Sequence, residues 1–542
     1  IYTKVLRQRQ SDVKGSYMNK QFLSWNIYQI YPRSFMDGNG DGIGDIKGIT
    51  SKLDYLKELG INAVWLGPCY KSPNCDNGYD ISDYRDIMDE FGTLDDWKKM
   101  IAGLHARDTK LIMDFVGNHT STEHEWFKQA RSSRDNKYHD YYIWRDEIPN
   151  DWRSVFGGSA WEYNEPTKEY YLHSFAIGQP DLNWENERVR KEMAEIIDYW
   201  VDLGVDGFRC DVLDYISKDF ALGKMNNGPK LHENIKELFG REKVKHIFTV
   251  GECSMGEDKI IDICGEDRYE LKCIFQFDHF NIGKNDKFTR KPYRTDEIRN
   301  VLVKWQYFTE KNGLLYTLFT DNHDNAHYIS RLGNDNEYRY ECATMYAAMF
   351  YLLKGIPFIY QGQEFGTPDP YYDGIRDFDD VETFNYYKAH KSESDIMDRI
   401  NFGSRDNMRR PMCWDNTKNY GFSTSDKTGI KLHSRGDDIN LENDKNSKRS
   451  VFRFYKKLLA LRNESDAVKF GRFEDITNDD GYFAYTRTLG DESILVVCNF
   501  DVAKEITGLP DGKYLLGNGG KTRRPDGKYA PYETAVYYKD KL

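Results

Sequence analysis

The sequence predicts an α/β fold: a (β/α)8 TIM barrel, interrupted after its third strand by a small inserted domain and followed by an antiparallel β-sandwich domain. Three observations predict it. Eight short β-branched and aromatic runs alternate with longer amphipathic segments, acidic residues stand at the ends of several of those runs, and residues 464–542 change to a strand-like texture.

Residues 25–31 read as the first strand, 45–59 as a helix and 63–66 as the second strand. Thr93 then caps a helix whose Leu94, Trp97, Ile101 and Leu104 share one face, and 111–116 follow as a buried third strand. From 119 to 183 the rhythm lapses: aromatics (Trp126, Trp144, Trp152, Trp161), Gly and charges mix without a helical period. A structureless loop of that length is improbable in a compact domain, so the segment reads as an inserted domain. Alternation resumes with a helix at 188–203, strands at 206–210, 247–251, 273–277 and 314–319, a helix at 339–353 and a strand at 357–360. A helix at 450–462 precedes a boundary near 463, and 482–487 with 493–499 form a hairpin. The predicted organisation is a barrel over 18–118 and 184–463, an inserted domain over 119–183 and a C-terminal β domain over 464–542. Residues 1–17 are polar and basic without an apolar core, so they read as an added or cleaved leader and not as a secretory signal.

Composition removes several function classes. Among 542 residues, 76 Lys and Arg stand against 88 Asp and Glu, a net charge of −12; a phosphate backbone would require the opposite sign, so no nucleic-acid partner is expected. No apolar run reaches the ~18 residues of a membrane span, so no membrane partner is expected either. The nine cysteines are scattered without a CxxC pair, which suits reduced thiols and a cytoplasmic location. Aromatic residues reach 15%, a surplus that can fill cores or stack on sugar faces.

The chemistry lies where acids meet strand ends. Asp114, Asp211, Glu252 and Asp324 are each embedded in or follow an apolar run, and in a βα barrel those ends converge on one rim. Arg209 lies two residues before Asp211, on the same strand face, and His119 and His323 stand beside the other acids. One such acid alone is most often a loop residue; four on one rim with an Arg and two His form a candidate site. A carboxylate held ionised beside another kept protonated is the equipment for splitting a glycosidic bond.

The strings Asp114-Phe-Val-Gly-Asn-His119, Gly207-Phe-Arg-Cys-Asp211, Val250-Gly-Glu252 and Asn322-His-Asp324 resemble, in order and strand placement, the four sequence regions of glycoside hydrolase family 13, the α-amylase family. The resemblance runs from about Trp25 to the C-terminus. It implies Asp211 as nucleophile, Glu252 as general acid/base and Asp324 as the stabiliser that grips substrate hydroxyls, with Arg209, His119 and His323 holding the nucleophile and the non-reducing glucose. Configuration would be retained, with the two carboxyl groups about 5 to 5.5 Å apart. Gln179-Pro-Asp-Leu-Asn-Trp184 and Tyr28-Gln-Ile-Tyr-Pro-Arg-Ser-Phe35 resemble the signatures of the oligo-1,6-glucosidase branch, and Val212 matches the residue its α-1,6-acting members tend to carry where maltases carry Thr or Ala. Val212 is equally a plain β-former in a barrel strand. By the same likeness Asp76 and Arg409 form a pair that blocks the pocket beyond the terminal glucose, Tyr79 offers a stacking face, and Phe156 and Phe175 line the entrance.

Oxygen donors at alternate positions of Asp37-Gly-Asn39-Gly-Asp41-Gly-Ile43-Gly-Asp45 suit a small hard cation, although Gly48 at the twelfth position excludes an EF-hand. The resemblance implies one structural Ca²⁺ on Asp37, Asn39, Asp41, the Ile43 carbonyl and Asp45; Mg²⁺ is an alternative, and no organic cofactor is expected. The expected activity is therefore exo-release of glucose from short α-1,6-linked gluco-oligosaccharides such as isomaltose and panose, by a monomer or weak homo-oligomer. Other readings stay open: a trehalose-6-phosphate hydrolase, maltase or sucrase, a sucrose isomerase or transglucosidase, or a catalytically silent transporter heavy-chain scaffold. Asn325-Ala-His327, where relatives commonly carry a Pro-Arg pair, leaves the leaving group undecided.

Overall fold

A computed structural model describes residues 17–265, 268–519 and 525–540. The expected leader therefore lies, apart from residue 17, outside the described residues.

Eight parallel strands make one sheet: β1 (Ile27–Ile30), β2 (Ala63–Leu66), β3 (Lys110–Val116), β4 (Gly207–Asp211), β5 (Phe248–Gly251), β6 (Cys273–Ile274), β7 (Thr317–Leu318) and β8 (Ile356–Tyr360). Neighbours run β6-β5-β4-β3-β2-β1-β8-β7, so the seam of the barrel falls between β6 and β7. There the Thr317 hydroxyl donates to the Ile274 carbonyl at 3.2 Å. Both seam strands are shorter than the sequence predicts. Phe275, Phe277 and Phe319, which lengthen the apolar runs, turn inward and meet one another with ring centroids 5.2 to 6.2 Å apart. Those rings fill the barrel interior, and their runs end as ladder partners there.

The helix after β1 also departs from expectation. It breaks at Lys52 into Ile46–Ser51 and Leu53–Leu59, although Ile46, Ile49, Leu53 and Leu56 keep a helical spacing and are all buried. Lys52 takes φ −110°, ψ 9°, and its ammonium lies 4.2 Å from the centre of the Trp414 ring. The Thr93 cap forms as a reciprocal box: the Thr93 hydroxyl accepts from the Asp96 N–H and Asp96 accepts from the Thr93 N–H, each at 3.2 Å.

Between β3 and β4 the inserted segment builds a three-stranded antiparallel sheet from Trp144–Arg145, Glu169–Leu172 and Trp161–Asn164. Ile143, Trp152, Ala160, Trp161 and Leu172 form its own small core. Past β8 the chain makes several short helices, among them Val381–His390 and Ile396–Gly403, where the sequence offers no clear period.

The C-terminal region pairs Tyr482–Leu489 with Glu492–Asn499 in a five-stranded antiparallel sheet, and the ribbon Lys504–Ile506 with Gly527–Tyr529 packs against it through Ile506 and Tyr529. Buried Arg487 fastens it to the barrel, donating to the Gly471 carbonyl of its own region (2.6 Å) and to the Leu352 carbonyl of the barrel (3.3 Å). All nine cysteines are unpaired, and among the described residues no helix is long and apolar enough to cross a membrane.

Candidate active site

Parallel register sets Asp114 on β3 opposite Arg209 on β4. Alternate side chains of β4 share a face, so the Arg209 guanidinium lies between Asp114 and Asp211. Its Nη1 donates to Asp114 Oδ1 and Asp211 Oδ1, each at 2.7 Å, and its Nη2 donates to Glu252, the residue after β5. Trp65 donates to the second Asp114 oxygen at 3.0 Å, and the Trp65 and Tyr79 rings flank the guanidinium at 5.2 and 5.7 Å. The nucleophile and acid implied by the sequence thus share one buried cation.

Burial raises the pKa of both Asp211 and Glu252, Arg209 pulls each back down, and the neighbouring carboxylates push them up again. Both carboxyls are thereby held above the ordinary carboxylate range. One ionised and one protonated carboxyl at neutral pH is the division of labour that glycoside cleavage needs.

Asp324 is held differently. Burial would raise its pKa, but the charges around it win and hold it well below the usual range. Burial pushes His323 down to about 3, so that ring is neutral and the lasting charges are Arg409, 2.9 Å from Asp324, and Arg405, 3.6 Å away. His323 sits between Gln29 (2.8 Å to Nδ1) and the Tyr79 hydroxyl (2.6 Å to Nε2). One face of Tyr79 is stacked on His323, with centroids 5.5 Å apart at 11°.

The pair expected beyond the terminal sugar has a different partner. Asp76 meets Arg405 at 3.1 Å, whereas Arg409 serves Asp324 and donates to the His323 carbonyl at 3.0 Å. The two arginines lie four residues apart, Arg405 opening the 3-10 turn Arg405–Asn407 and Arg409 two residues past it, so both reach the same floor and spacing does not tell them apart. Burial raises the Asp76 pKa to about 6, against the pull of Arg405 and Arg409. The Gln179 side-chain amide donates to Asp76 at 3.2 Å and lies 3.1 Å from His119, and its Oε1 accepts from the Ala176 N–H at 3.0 Å. Phe175 stands 5.4 Å from His119 and 5.7 Å from Phe156, and Arg405 lies 4.9 Å over the Phe156 ring.

Asp76, Asp211, Val212, Glu252, Asp324 and Arg405 line a cavity of about 450 Å³. A cavity of about 510 Å³ under the inserted domain is lined instead by residues such as Arg134, Glu169 and Lys218, away from the carboxylate pair. Of the inserted domain's aromatics, Phe156 and Phe175 reach the catalytic cavity, while Trp152 and Trp161 stay in its own core.

Val212 is not a strand residue. It follows β4 in the left-handed region at φ 33°, ψ 46°, a conformation that costs a β-branched side chain about 1–3 kcal/mol. Around it the Glu252 N–H donates to the Cys210 carbonyl at 2.9 Å and the Leu213 N–H to the Glu252 carbonyl at 3.1 Å. The strained turn is thereby clamped to the acid's own backbone, and Val212 lines the cavity between nucleophile and acid.

In the 37–45 loop, Asp37 accepts from the N–H groups of Asn39, Gly40 and Gly42, and Asp45 from those of Gly38, Asn39 and Gly48. Asn39 donates to Asp41 at 3.0 Å, and Gly40 and Gly42 supply the left-handed turns. The donors are all oxygens, a set that fits a hard cation. Among the described residues no group of three or more His, Cys, Asp or Glu surrounds a common metal position.

Residues 29–471 match the family model described as alpha amylase, catalytic domain. The chain belongs to the α-amylase family. It is 46% identical over 514 residues to an oligo-1,6-glucosidase of Parageobacillus thermoglucosidasius, covering 90% of this chain and 91% of the relative. It is 39% identical to a trehalose-6-phosphate hydrolase of Bacillus subtilis, covering 94% of this chain and 97% of that one. A crystal structure of a Bacillus licheniformis trehalose-6-phosphate hydrolase mutant superposes with a TM-score of 0.91 at 38% identity, over 96% of this chain and all of that one. As an α-amylase family member the chain is a glycoside hydrolase with the barrel and C-terminal β domain the family carries. Arg405, Asp380 and Gln29 are site residues that sequence reasoning missed. Arg405 stands four residues before Arg409, and Gln29 inside the string ending at Phe35, so alternation along β1 could have found Gln29. Asp380, an ion-pair partner of Arg405, had no such signal.

Proposed function

We propose that the chain is a retaining exo-α-glucosidase that releases glucose from the non-reducing end of short α-1,6-linked gluco-oligosaccharides. The observation that carries this reading is the closed floor: Asp76, Arg405, Arg409 and Asp324 are cross-paired in the cavity that holds Asp211 and Glu252. Asp211 attacks the anomeric carbon while Glu252 protonates the departing oxygen. Glu252 then takes a proton from water, which breaks the glucosyl–Asp211 ester with configuration retained. Asp324, kept ionised by its arginines, accepts hydrogen bonds from ring hydroxyls.

The α-1,6 preference is supported by Val212 and by relatives named for that linkage. In a panel of isomaltose, panose, maltose, sucrose and trehalose 6-phosphate, isomaltose and panose give the highest kcat/KM, and a last place for isomaltose sinks the assignment. Val212→Thr adds a hydroxyl at nearly constant volume, and it narrows the isomaltose-to-maltose ratio by about tenfold.

A structural Ca²⁺ in the 37–45 loop is part of the same proposal, supported by its oxygen-only donors; bound there, it would neutralise Asp37, Asp41 and Asp45 and hold the turn. A ligand at 100 times its Kd stabilises by about 2.7 kcal/mol. Millimolar Ca²⁺ is therefore expected to raise Tm over an EDTA-treated sample, with Asp41→Asn abolishing the difference; equal Tm values with and without Ca²⁺ reject the ion. A cytoplasmic location is the accompanying expectation, supported by the nine unpaired thiols.

A further inference from the structure

The loop that carries His323 and Asp324 follows β7 and closes on itself. At its start Asp321 accepts from the Tyr328 N–H at 2.8 Å, seven residues on. Inside that span the Asn322 side chain accepts from the Asp324 and Asn325 N–H groups, each at 3.0 Å, so Asp324 stands on a turn whose two ends meet at the Asp321 carboxylate. Asp321 is 4% exposed, and among the described residues no lysine or arginine comes within ion-pair distance of it. Its partner is His327, whose Nδ1 lies 3.5 Å away.

His327 is itself 2% exposed and faces acids from three segments. Its own N–H donates to Asp369, past β8, at 2.9 Å. The Asp369 N–H donates to the Ser330 hydroxyl at 2.8 Å, and that hydroxyl donates to Asp335 at 2.5 Å. Other cations nearby are engaged elsewhere. Arg331 faces Asp321 and Asp369 from outside ion-pair distance and donates to the Phe280 carbonyl at 2.8 Å, and Arg435 donates to the Asp335 carbonyl at 3.3 Å. His433 lies 2.8 Å from the Pro368 carbonyl, and burial drops its pKa to about 4, so it is neutral. A buried carboxylate needs a counter-charge, and here that charge sits on a group able to lose it.

We propose that His327 is a positioning residue for the glycoside cleavage: as an imidazolium it pairs with Asp321 and keeps the 321–328 loop closed, which presents Asp324 and His323 to the terminal sugar. This rests on the glucosidase reading above and adds a pH control that lies outside the Asp211/Glu252 pair. Burial pushes the His327 pKa down, but Asp321, Asp369 and Asp335 overcome it and hold it above the ordinary value. A folded-state pKa above the unfolded one, about 6.5, means that the hold is complete in mild acid and is lost as pH rises through the folded value. Asp369, pushed up to about 7 by burial, gains charge over the same range and makes the imidazolium more needed.

The test compares wild type, His327→Arg and His327→Gln, because Arg keeps the charge at every pH and Gln at none. For each, kcat and KM on isomaltose and an unfolding curve are recorded from about pH 5 to about pH 9, the range that spans histidine titration. His327→Gln is expected to lower kcat about tenfold at mildly acidic pH, the effect of a misplaced catalytic group, and to leave the acidic limb in place. His327→Arg is expected to restore kcat there and to move the alkaline limb up by about one pH unit. Ionisation of Glu252 falls on the same limb but is common to all three proteins. The Tm advantage of His327→Arg over wild type should widen as pH rises. The proposal is overturned if the alkaline limb of His327→Arg coincides with that of wild type, if His327→Gln keeps wild-type kcat, or if the Tm difference does not change with pH. Should His327→Arg fail to fold, the double variant Asp321→Asn/His327→Gln, which removes both charges, takes its place: recovery of kcat over His327→Gln supports the pair and no recovery overturns it. Absence of isomaltose cleavage in wild type would strike the glucosidase reading instead, and the Tm series would still decide the His327 charge.

Discussion

Asp211→Asn is expected to lower kcat on isomaltose by about four to six orders of magnitude, the range over which enzymes lose turnover when a nucleophile is removed. Asn fills the same volume and can still accept from Arg209 Nη1, which Asp211 meets at 2.7 Å, so the fold and the sugar site are kept while the attacking oxygen is lost. Initial-rate assays on freshly purified variant, with an unfolding curve recorded alongside, separate the two effects. Unchanged turnover in a folded variant removes the mechanism.

Arg209→Gln is expected to damage stability and catalysis together. One guanidinium is paired with Asp114, Asp211 and Glu252. Breaking a buried ion pair by removing one partner costs about 3–5 kcal/mol, because the other charge stays behind without compensation. The sign of the pH dependence follows from the carboxyl groups. Burial already raises their folded-state pKa values, with Arg209 as the largest opposing influence on each. Without the cation those values climb further above the unfolded ones, so the stability deficit is largest at alkaline pH and shrinks as the carboxyls take up protons. The acidic limb of kcat/KM moves to higher pH for the same reason. Urea unfolding at several pH values checks the first expectation and a pH–rate profile the second; a variant with wild-type stability at pH 8 contradicts the shared-cation picture.

The parts of the fold that were legible share a physical cause. Strands such as Ala63–Leu66 and Phe248–Gly251 are buried on both faces, so their apolar runs match their ladders closely. At the seam the same kind of run misleads, because Phe275 and Phe319 are apolar for the sake of the interior. The helix after β1 kept a continuous apolar face through Lys52 and gave no sign of its break. Within the site, Asp211, Arg209 and Asp114 were readable because period two fixes which side chains of β4 point together, and parallel register brings Asp114 alongside. The Asp76 partner was not readable, since Arg405 and Arg409 stand only four residues apart and only the folded chain decides which guanidinium faces which acid. Val212 looked like a strand residue because a left-handed β-branched residue has no sequence signature.

The inserted domain bears on how the barrel can form. Asp114 and Arg209 are 95 residues apart in the chain, yet β3 and β4 must lie side by side before the salt bridge between them exists. Closing a loop costs entropy that grows only with the logarithm of its length, about 0.6 kcal/mol for each doubling, so a domain-sized excursion here taxes the finished fold very little. The penalty is kinetic: distant contacts are slow to be won. During synthesis the first three strands emerge with Asp114 in place and no counter-charge, and the catalytic centre stays incomplete until the roof has been made and the chain returns through β4.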